Sequence, residues 1–234
     1  MTDPRTVTFV VLIAAGAWII CAVAWLLLDA ARNAGTARAV RTAHATIVVI
    51  LLWATGACTF AAFAELSFPV FLPMVLVPIA LGTWAILRPN LSELLAHARI
   101  EGLIAVQVYR VAGAIFLHLY YATGSLSWGF ARNAGWGDVA TGVLALPVAW
   151  MVWRRAPCAS VALVAWCVFG IGDLVVAPIS AGLYGAERLV EFPINTVPMF
   201  LGPPLGIWLQ IVVLRAWWLQ RATFARADQR ARAT

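Results

Sequence analysis

Long apolar stretches, separated by short segments that hold most of the polar residues, follow one another along the chain. The hydrocarbon core of a bilayer accommodates roughly 20 residues of α-helix, and seven stretches have about that length. They are Val7–Leu28, His44–Phe63, Pro69–Leu87, Leu103–Thr123, Trp136–Trp153, Ser160–Tyr184 and Pro193–Leu214. The pattern predicts an all-α, polytopic transmembrane bundle of seven helices over residues 1–214, followed by a basic juxtamembrane tail over residues 215–234.

The arginines are unevenly distributed between the two ends of the predicted helices. Twelve of them lie in one set of alternate loops and in the tail, three lie on the opposite side, and Arg110 lies within a helix. Cytoplasmic loops carry the excess of positive charge in membrane proteins. The N-terminus is therefore predicted outside and the C-terminus in the cytoplasm, which requires an odd number of spans.

The loop between the third and fourth predicted helices has a pattern of its own. Asn90-Leu91-Ser92-Glu93 has the form of a capping box, and Leu91, Leu94, Leu95 and Ala98 would share one helical face. We predict a short helix over Leu91–Arg99 on the cytoplasmic surface, with a plain polar loop as the alternative.

The composition excludes several other classes of protein. Hydrophobic residues make up 63% of the chain and charged residues only 11%, which rules out an ordinary soluble domain, a disordered chain and a secreted disulfide scaffold. The 16 basic residues are all arginine, and a chain without lysine cannot form a Schiff base with retinal or a carbonyl substrate. Because the arginines lie in short loops and the tail, we expect the lipid bilayer as a partner and no nucleic acid.

The fourth predicted helix carries most of the candidate chemistry. Gln107, Arg110, His118 and Tyr121 fall within roughly a quarter-turn of one another if the helix is regular. An arginine inside a span is costly unless it is paired or hydrated, so this face should point into the bundle. Asp173 of the sixth helix is the expected counter-ion, although helical rise places the two residues roughly 9 Å apart in depth.

A second aspartate, Asp138, follows two glycines near the outer end of the fifth predicted helix. Gly135, Gly137 and Ala140 match the spacing of a dinucleotide-binding loop, but no strand precedes them as that site requires. We therefore interpret Asp138 as a helix N-cap.

The seventh predicted helix is interrupted by prolines and glycines. Asn195, Pro198, Gly202, Gly206 and Gln210 would share one face, and interrupted spans often form binding sites because they free backbone groups at membrane depth. The break at Gly202, Pro203 and Pro204 is a candidate gate. Residues 68–84 and 192–208 also resemble each other in their prolines and Gly-x-Trp endings. That likeness indicates parallel repeats of helices 1–3 and 5–7 joined by helix 4, and chance similarity of two proline-rich spans is the alternative.

The histidines do not predict a metal site. His44 and His97 lie near the cytoplasmic end, whereas His118 lies in the outer half of its span. No cofactor is predicted, and a haem with His118 as its single axial ligand remains an alternative. Nothing in the sequence argues for catalysis.

Three motifs resemble those of a known group of proteins: Gln107-Val108-Tyr109-Arg110, Gly135-Trp136-Gly137-Asp138 followed by Gly142, and Gly170-Ile171-Gly172-Asp173. With the proline-rich last helix they resemble a widespread group of small bacterial inner-membrane proteins with seven predicted spans. The resemblance implies a multi-pass location in the bacterial inner membrane and no particular activity. The 3+1+3 plan is also similar to that of SWEET-type sugar facilitators.

Three functions are compatible with these observations. The first is the binding or transport of a small polar or anionic solute, with the break in the seventh helix as a gate. The second is an accessory or assembly subunit of a larger membrane complex or homo-oligomer, in which Arg110 and Asp173 are structural. The third is a haem- or pigment-binding redox protein. The residues expected to bind a solute are Gln107, Arg110, His118, Tyr121, Asp173, Asn195 and Gln210.

Overall fold

The computed structural model is helical throughout the residues that it describes, which are 3–63, 68–124, 126–184 and 194–233. Its α-helices, in chain order, are α1 (Pro4–Ala34), α2 (Ala37–Phe63), α3 (Phe68–Ile86), α4 (Pro89–Leu95), α5 (Ile100–Ala105), α6 (Ala114–Thr123), α7 (Trp128–Trp153), α8 (Ala159–Leu183) and α9 (Pro203–Ala233). A 3₁₀ segment (Val106–Gly113) joins α5 to α6, and a π-helical turn (Val197–Leu201) precedes α9.

Several of these helices have the length and the surface of membrane spans. Among the described residues, α1, α2, the composite span Ile100–Thr123, α7 and α8 are long and apolar enough to cross a bilayer. A sixth span results if α3 and α4, which meet at a bend of 74°, are counted as one. Large apolar side chains point outward, including Leu52, Phe63 and Val161, an arrangement that marks a lipid-facing surface. The all-helical membrane class is therefore confirmed.

The composite span Ile100–Thr123 occupies a central position. It packs between α1 on one side and α7 on the other, while α8 packs against α7 and α9 packs against α3, α5 and α8. Helix α7 therefore packs against two other segments that carry polar residues, the 3₁₀ segment and α8.

Helix α7 begins at Trp128, eight residues before the predicted start at Trp136. Ser127 is its N-cap and accepts a hydrogen bond from the Phe130 amide at 3.4 Å. The additional turns contain the polar residues Arg132 and Asn133, which lie outside the apolar stretch from which the helix was predicted. The interpretation of Asp138 as an N-cap is therefore wrong, because Asp138 lies well inside the helix.

The short helix predicted over Leu91–Arg99 is present as α4, which begins at Pro89 and already ends at Leu95. The predicted capping box is wrong. Arg88 is the N-cap and Pro89 the first helical residue, a position that suits proline because it has no amide hydrogen to satisfy. Glu93 instead accepts a hydrogen bond from Thr36 at 3.1 Å, and Asn90 accepts one from Arg38. The loop between α1 and α2 is thereby tied to α4.

The seventh predicted span is interrupted, as its prolines and glycines indicate. Pro193 lies outside the described residues, and the π-helical turn ends at Gly202, after which α9 begins at Pro203. The Leu201 carbonyl at this break accepts a hydrogen bond of 3.0 Å from the hydroxyl of Tyr109, which is buried. The break is thus anchored to the central span.

Tyr109→Phe is expected to remove the hydrogen bond to the Leu201 carbonyl while keeping the aromatic ring. Loss of one buried hydrogen bond should lower the free energy of unfolding by about 0.5–1.5 kcal/mol. Thermal unfolding of the purified protein in detergent measures the change. Tyr121→Phe is the matched control, since Tyr121 is 74% exposed. Equal melting temperatures for the two variants would contradict the role of Tyr109.

The predicted tail continues α9 as far as Ala233. Its first turns are held by the neighbourhood of α4: Arg215 donates to the Ser92 hydroxyl at 3.0 Å from Nη2. Gln220 donates to the carbonyls of Leu95 and Ala98 at 3.2 and 2.9 Å. The part of the tail around residues 215–220 therefore packs on the helical bundle.

Candidate functional site

The candidate site is built on the 3₁₀ segment of the central span. A 3₁₀ helix has three residues per turn, so residues three apart in sequence lie in a line along its axis. Gln107, Arg110 and Gly113 have this spacing, and all three are buried. Eight residues make an uncommonly long 3₁₀ run, and such a run within a helix often marks a functional hinge.

Arg110 is enclosed by two carboxylates and one carbonyl. Its Nε donates to Asp138 Oδ1 of α7 at 2.7 Å, and its Nη2 donates to Asp173 Oδ2 of α8 at 2.5 Å. Its Nη1 donates to the carbonyl of Gly170 at 3.1 Å. The guanidinium therefore ties the central span to both neighbouring helices. We call Arg110, Asp138 and Asp173 the charged triad.

Glycines next to the triad allow the helices to approach this closely. A Cβ on Gly137 would lie 1.6 Å from Asp173 Oδ1, and a Cβ on Gly113 would lie 2.4 Å from the Cβ of Asp138. Any larger residue at either position would separate the carboxylates from Arg110. Gly137 of the first Gly-x-Gly-Asp motif thus makes room for Asp173 of the second, and Gly113 of the 3₁₀ segment makes room for Asp138.

The triad is almost completely shielded from the surface. The Arg110 side chain is 1% exposed, against 15% for Asp138 and 7% for Asp173. With all three groups ionised, one positive and two negative charges leave a net charge of −1 at this depth. A buried charge without compensation is strongly disfavoured, so a proton or a cationic or hydrogen-bond-donating partner is favoured beside the carboxylates.

A pair of buried glutamines adjoins the triad. Gln210 of α9 donates from Nε2 to Gln107 Oε1 at 3.3 Å. Gln210 Nε2 and Arg110 Nη1 both lie within 3.0 Å of the position that a Cβ on Gly170 would occupy. Within the described part of the chain, Gln107 Nε2 and Gln210 Oε1 have no hydrogen-bond partner although both are buried. The pair therefore keeps one donor and one acceptor available.

His118 and Tyr121 do not join this site, contrary to the prediction. Both are exposed, Tyr121 by 74%. Each 3₁₀ residue advances about 120° around the axis instead of 100°, so the steps from Arg110 to Gly113 turn the following helix out of phase. His118 then lies about 140° from Arg110 and faces away from the bundle.

The remaining predicted site residues are buried, and Asn195 lies apart from the glutamines. Asn195 donates to the Ala61 carbonyl of α2 at 2.7 Å, so it belongs to the contact between α2 and the segment before α9. Gly202, Pro203 and Pro204, the predicted gate, form the break itself and are buried. Tyr109, the neighbour of Arg110 in sequence, connects this break to the triad through its hydrogen bond to the Leu201 carbonyl.

Asp138 is the functional residue that sequence reasoning did not assign to the site. The signal that identifies it is the recurrence of one motif, since Gly135-Trp136-Gly137-Asp138 and Gly170-Ile171-Gly172-Asp173 place an aspartate identically after two glycines. The two aspartates bind the same guanidinium from adjacent helices.

The donor set around Arg110 suits protons and polar organic groups better than a metal ion. Among the residues that the structure describes, no cluster of three histidines, cysteines or carboxylates has the arrangement of a metal site. The alternative of a haem held by His118 stays a prediction, and it would concern a surface separate from the triad.

The fold and the triad together define a multi-pass helical membrane protein with a buried, net acidic polar centre. Residues 66–218 match the family described as "Domain of unknown function (DUF8737)", and the chain belongs to this family. The match contains all three members of the triad and both glutamines. No curated protein and no solved structure matches the chain in the comparisons made.

Proposed function

We propose that this protein binds a small polar solute inside the membrane, and moves it across, at the site formed by the charged triad with Gln107 and Gln210. The proposal retains the predicted seven spans, the cytoplasmic C-terminus and the location in a bacterial inner membrane. The observation that carries it is the buried pair of glutamine atoms without partners. A buried donor or acceptor left without a hydrogen bond is disfavoured by about 1–3 kcal/mol, and a bound solute would satisfy both atoms.

The charge of the site determines whether an anionic, a neutral or a cationic solute fits it. Arg110 already donates to Asp138, Asp173 and the Gly170 carbonyl, so an anion would have to displace a carboxylate to reach it. A neutral hydrogen-bonding solute, or a cation or proton that compensates the second carboxylate, needs no such displacement. The geometry therefore favours the neutral or cationic part of the predicted range over the anionic part.

The break at Gly202–Pro204 supports a route to the site. Tyr109 connects the Leu201 carbonyl to the 3₁₀ segment, so a movement of the break would act on the residue beside Arg110. Interrupted helices at membrane depth are a recurring element of transporter binding sites. The parallel repeat and the SWEET-like plan remain predictions that a transport function would accommodate.

The test is a thermal-shift experiment with small probes of each charge at constant ionic strength. Methylammonium represents cations, acetamide represents neutral amides, and formate represents anions. A probe present at about ten times its dissociation constant stabilises the folded protein by about 1.4 kcal/mol. We expect stabilisation by methylammonium or acetamide, none by formate, and none by any probe in Gln210→Leu.

Val213→Ala serves as the control for Gln210→Leu, because Val213 is a fully buried neighbour on α9 with an apolar side chain. It should reduce stability while leaving the response to the probes intact. Stabilisation by formate alone would contradict the inferred charge of the site, and loss of the response in both variants would contradict the role assigned to Gln210.

An accessory or assembly role is the second candidate, and the saturation of Arg110 supports it. A guanidinium that donates to three groups of its own chain can serve to hold α7 and α8 to the central span. In that case native mass spectrometry of gently extracted protein should show stoichiometric larger polypeptides, and the small probes should have no effect. A mass equal to the bare chain or its multiples would support the solute-binding function instead.

A further inference from the structure

Two adjoining cavities lie at the arginine-rich end of the bundle, away from the charged triad. The first has a volume of about 510 Å³, and its polar lining includes Arg99, Glu101, Arg155 and Gln220. The second, of about 350 Å³, is a groove between α1, α5 and α7. Its lining includes Trp25, Gly102, Ala105, Ala149 and Trp150. Arg99, Glu101 and Trp153 line both cavities, so the two are direct neighbours.

Tryptophans locate these cavities at the level of the membrane surface. Trp25, Trp150 and Trp153 are all more than half exposed, and exposed tryptophans of membrane proteins concentrate at the boundary between headgroups and hydrocarbon. The apolar groove therefore faces acyl chains, and the polar cavity lies at the depth of the headgroups.

The charged groups of the polar cavity sum to one positive charge. Arg99 Nε lies 3.4 Å from Glu101 Oε1, so this pair is neutral, and Arg155 supplies a cation beyond it. The adjacent Arg154 lines neither cavity and lies over the Trp153 ring, with its guanidinium carbon 5.8 Å from the ring centre. One uncompensated arginine in a pocket matches one anionic phosphodiester.

Arg155 follows the last turn of α7 and ends the helix in a Schellman motif. Its amide donates to the Val152 carbonyl at 3.1 Å, and the Ala156 amide donates to the Met151 carbonyl at 3.0 Å. The φ of Arg155 is +52°, in the left-handed region that otherwise contains only glycines among the described residues. Glycine or asparagine adopts this conformation most readily, yet the chain places an arginine there. This helix end places Arg155 beside the polar cavity.

We propose that these cavities bind one phospholipid with an anionic headgroup. The phosphate occupies the polar cavity beside Arg155 and Arg99, and an acyl chain lies in the groove beside Ala105 and Ala149. Basic pockets between transmembrane helices are a known mode of anionic lipid recognition. This site is independent of the solute proposed for the charged triad.

The experiment measures lipid binding to the full chain in detergent by native mass spectrometry. Phosphatidylglycerol is the anionic probe, phosphatidylcholine the zwitterionic probe, and inorganic phosphate the soluble source of the same chemistry. We expect one phosphatidylglycerol to bind per chain and to stay bound when inorganic phosphate is present in excess. Arg155→Asn should weaken the binding of phosphatidylglycerol by about fivefold to tenfold, since each basic residue near the membrane surface contributes about 1 kcal/mol.

Arg154→Asn is the matched control and should change phosphatidylglycerol binding by less than about twofold. Asparagine tolerates the left-handed backbone, so Arg155→Asn should keep the lipid-free melting temperature of the wild type. Ala105→Phe, at a partly buried position that lines the groove, keeps the charges and should also weaken the binding of the lipid. Equal binding by the two asparagine variants, equal retention of phosphatidylcholine, or displacement of the lipid by inorganic phosphate would each overturn the proposal.

Discussion

Arg110→Met is expected to lower the free energy of unfolding by about 3–5 kcal/mol, the largest effect of any single substitution considered for this protein. Removing one partner of a buried ion pair leaves its counter-charges uncompensated. Here Asp138 and Asp173 would face each other without the guanidinium between them. The yield of monodisperse protein in detergent and its thermal unfolding measure the loss. Arg132→Met is the control, because Arg132 is exposed on α7.

Neutralising the whole triad should restore much of this stability. The variant Arg110→Met/Asp138→Asn/Asp173→Asn has no buried charge, and apolar or neutral replacements of complete buried ion pairs are often neutral or stabilising. Asparagine is chosen because Asp138 packs directly on Gly113 and leaves no room for a larger side chain. A triple variant as unstable as Arg110→Met would contradict this electrostatic explanation. A folded triple variant that no longer responds to the probes would support the solute-binding function.

Gly137→Ala is expected to be nearly as disruptive, for a steric reason. The new Cβ would lie 1.6 Å from Asp173 Oδ1, a distance at which the helices must separate. Overpacking of a buried contact typically lowers stability by about 1–3 kcal/mol, and the loss of the bond between Arg110 and Asp173 adds to that. The melting temperature in detergent is the measurement.

Gly172→Ala is an unusually close control for Gly137→Ala. Gly172 holds the corresponding position in the other Gly-x-Gly-Asp motif, and a Cβ there would meet nothing within 4 Å. Alanine is the better helix former by about 0.5–1 kcal/mol, so this variant should be as stable as the wild type or slightly more stable. If the two alanine variants lost stability equally, the close approach of α7 and α8 at Gly137 would not be what positions Asp173.

The pairing of Arg110 with Asp173 shows how far reasoning from the sequence extends into the site. An arginine within a span is costly unless it has a counter-ion, and the sequence predicts Asp173 as that counter-ion. The calculated difference in depth of roughly 9 Å argued against direct contact, but it assumed regular α-helix. Since a 3₁₀ residue rises about 0.5 Å more than an α-helical one, the 3₁₀ segment brings Arg110 about 2 Å closer in depth, and the long side chain spans the remainder.

Two physical causes explain the residues for which the prediction from the sequence is wrong. The prediction places His118 at the site on a regular 100° step, which the 3₁₀ segment violates. Asp138 was assigned to a helix end because the polar residues before Trp136 hid the true start of α7. For Asp138 the deciding interactions come from other parts of the chain: Gly113 of the 3₁₀ segment accommodates its side chain, and Asn133 in the first turns of α7 donates to Ser180 of α8 at 3.0 Å.

The sequence by itself determined that this is a helical membrane protein with an ionic centre. The length of an apolar stretch is a local property of the sequence, and it decides directly whether a helix can span a bilayer. An arginine within such a span requires partners, whatever the arrangement of the neighbouring helices. Only the tertiary structure decided that two aspartates share Arg110, that two glutamines adjoin it and that His118 does not. Those outcomes depend on the winding of one segment and on the close approach of glycine-containing helices, because packing between distant segments overrides the regular geometry that a sequence pattern assumes.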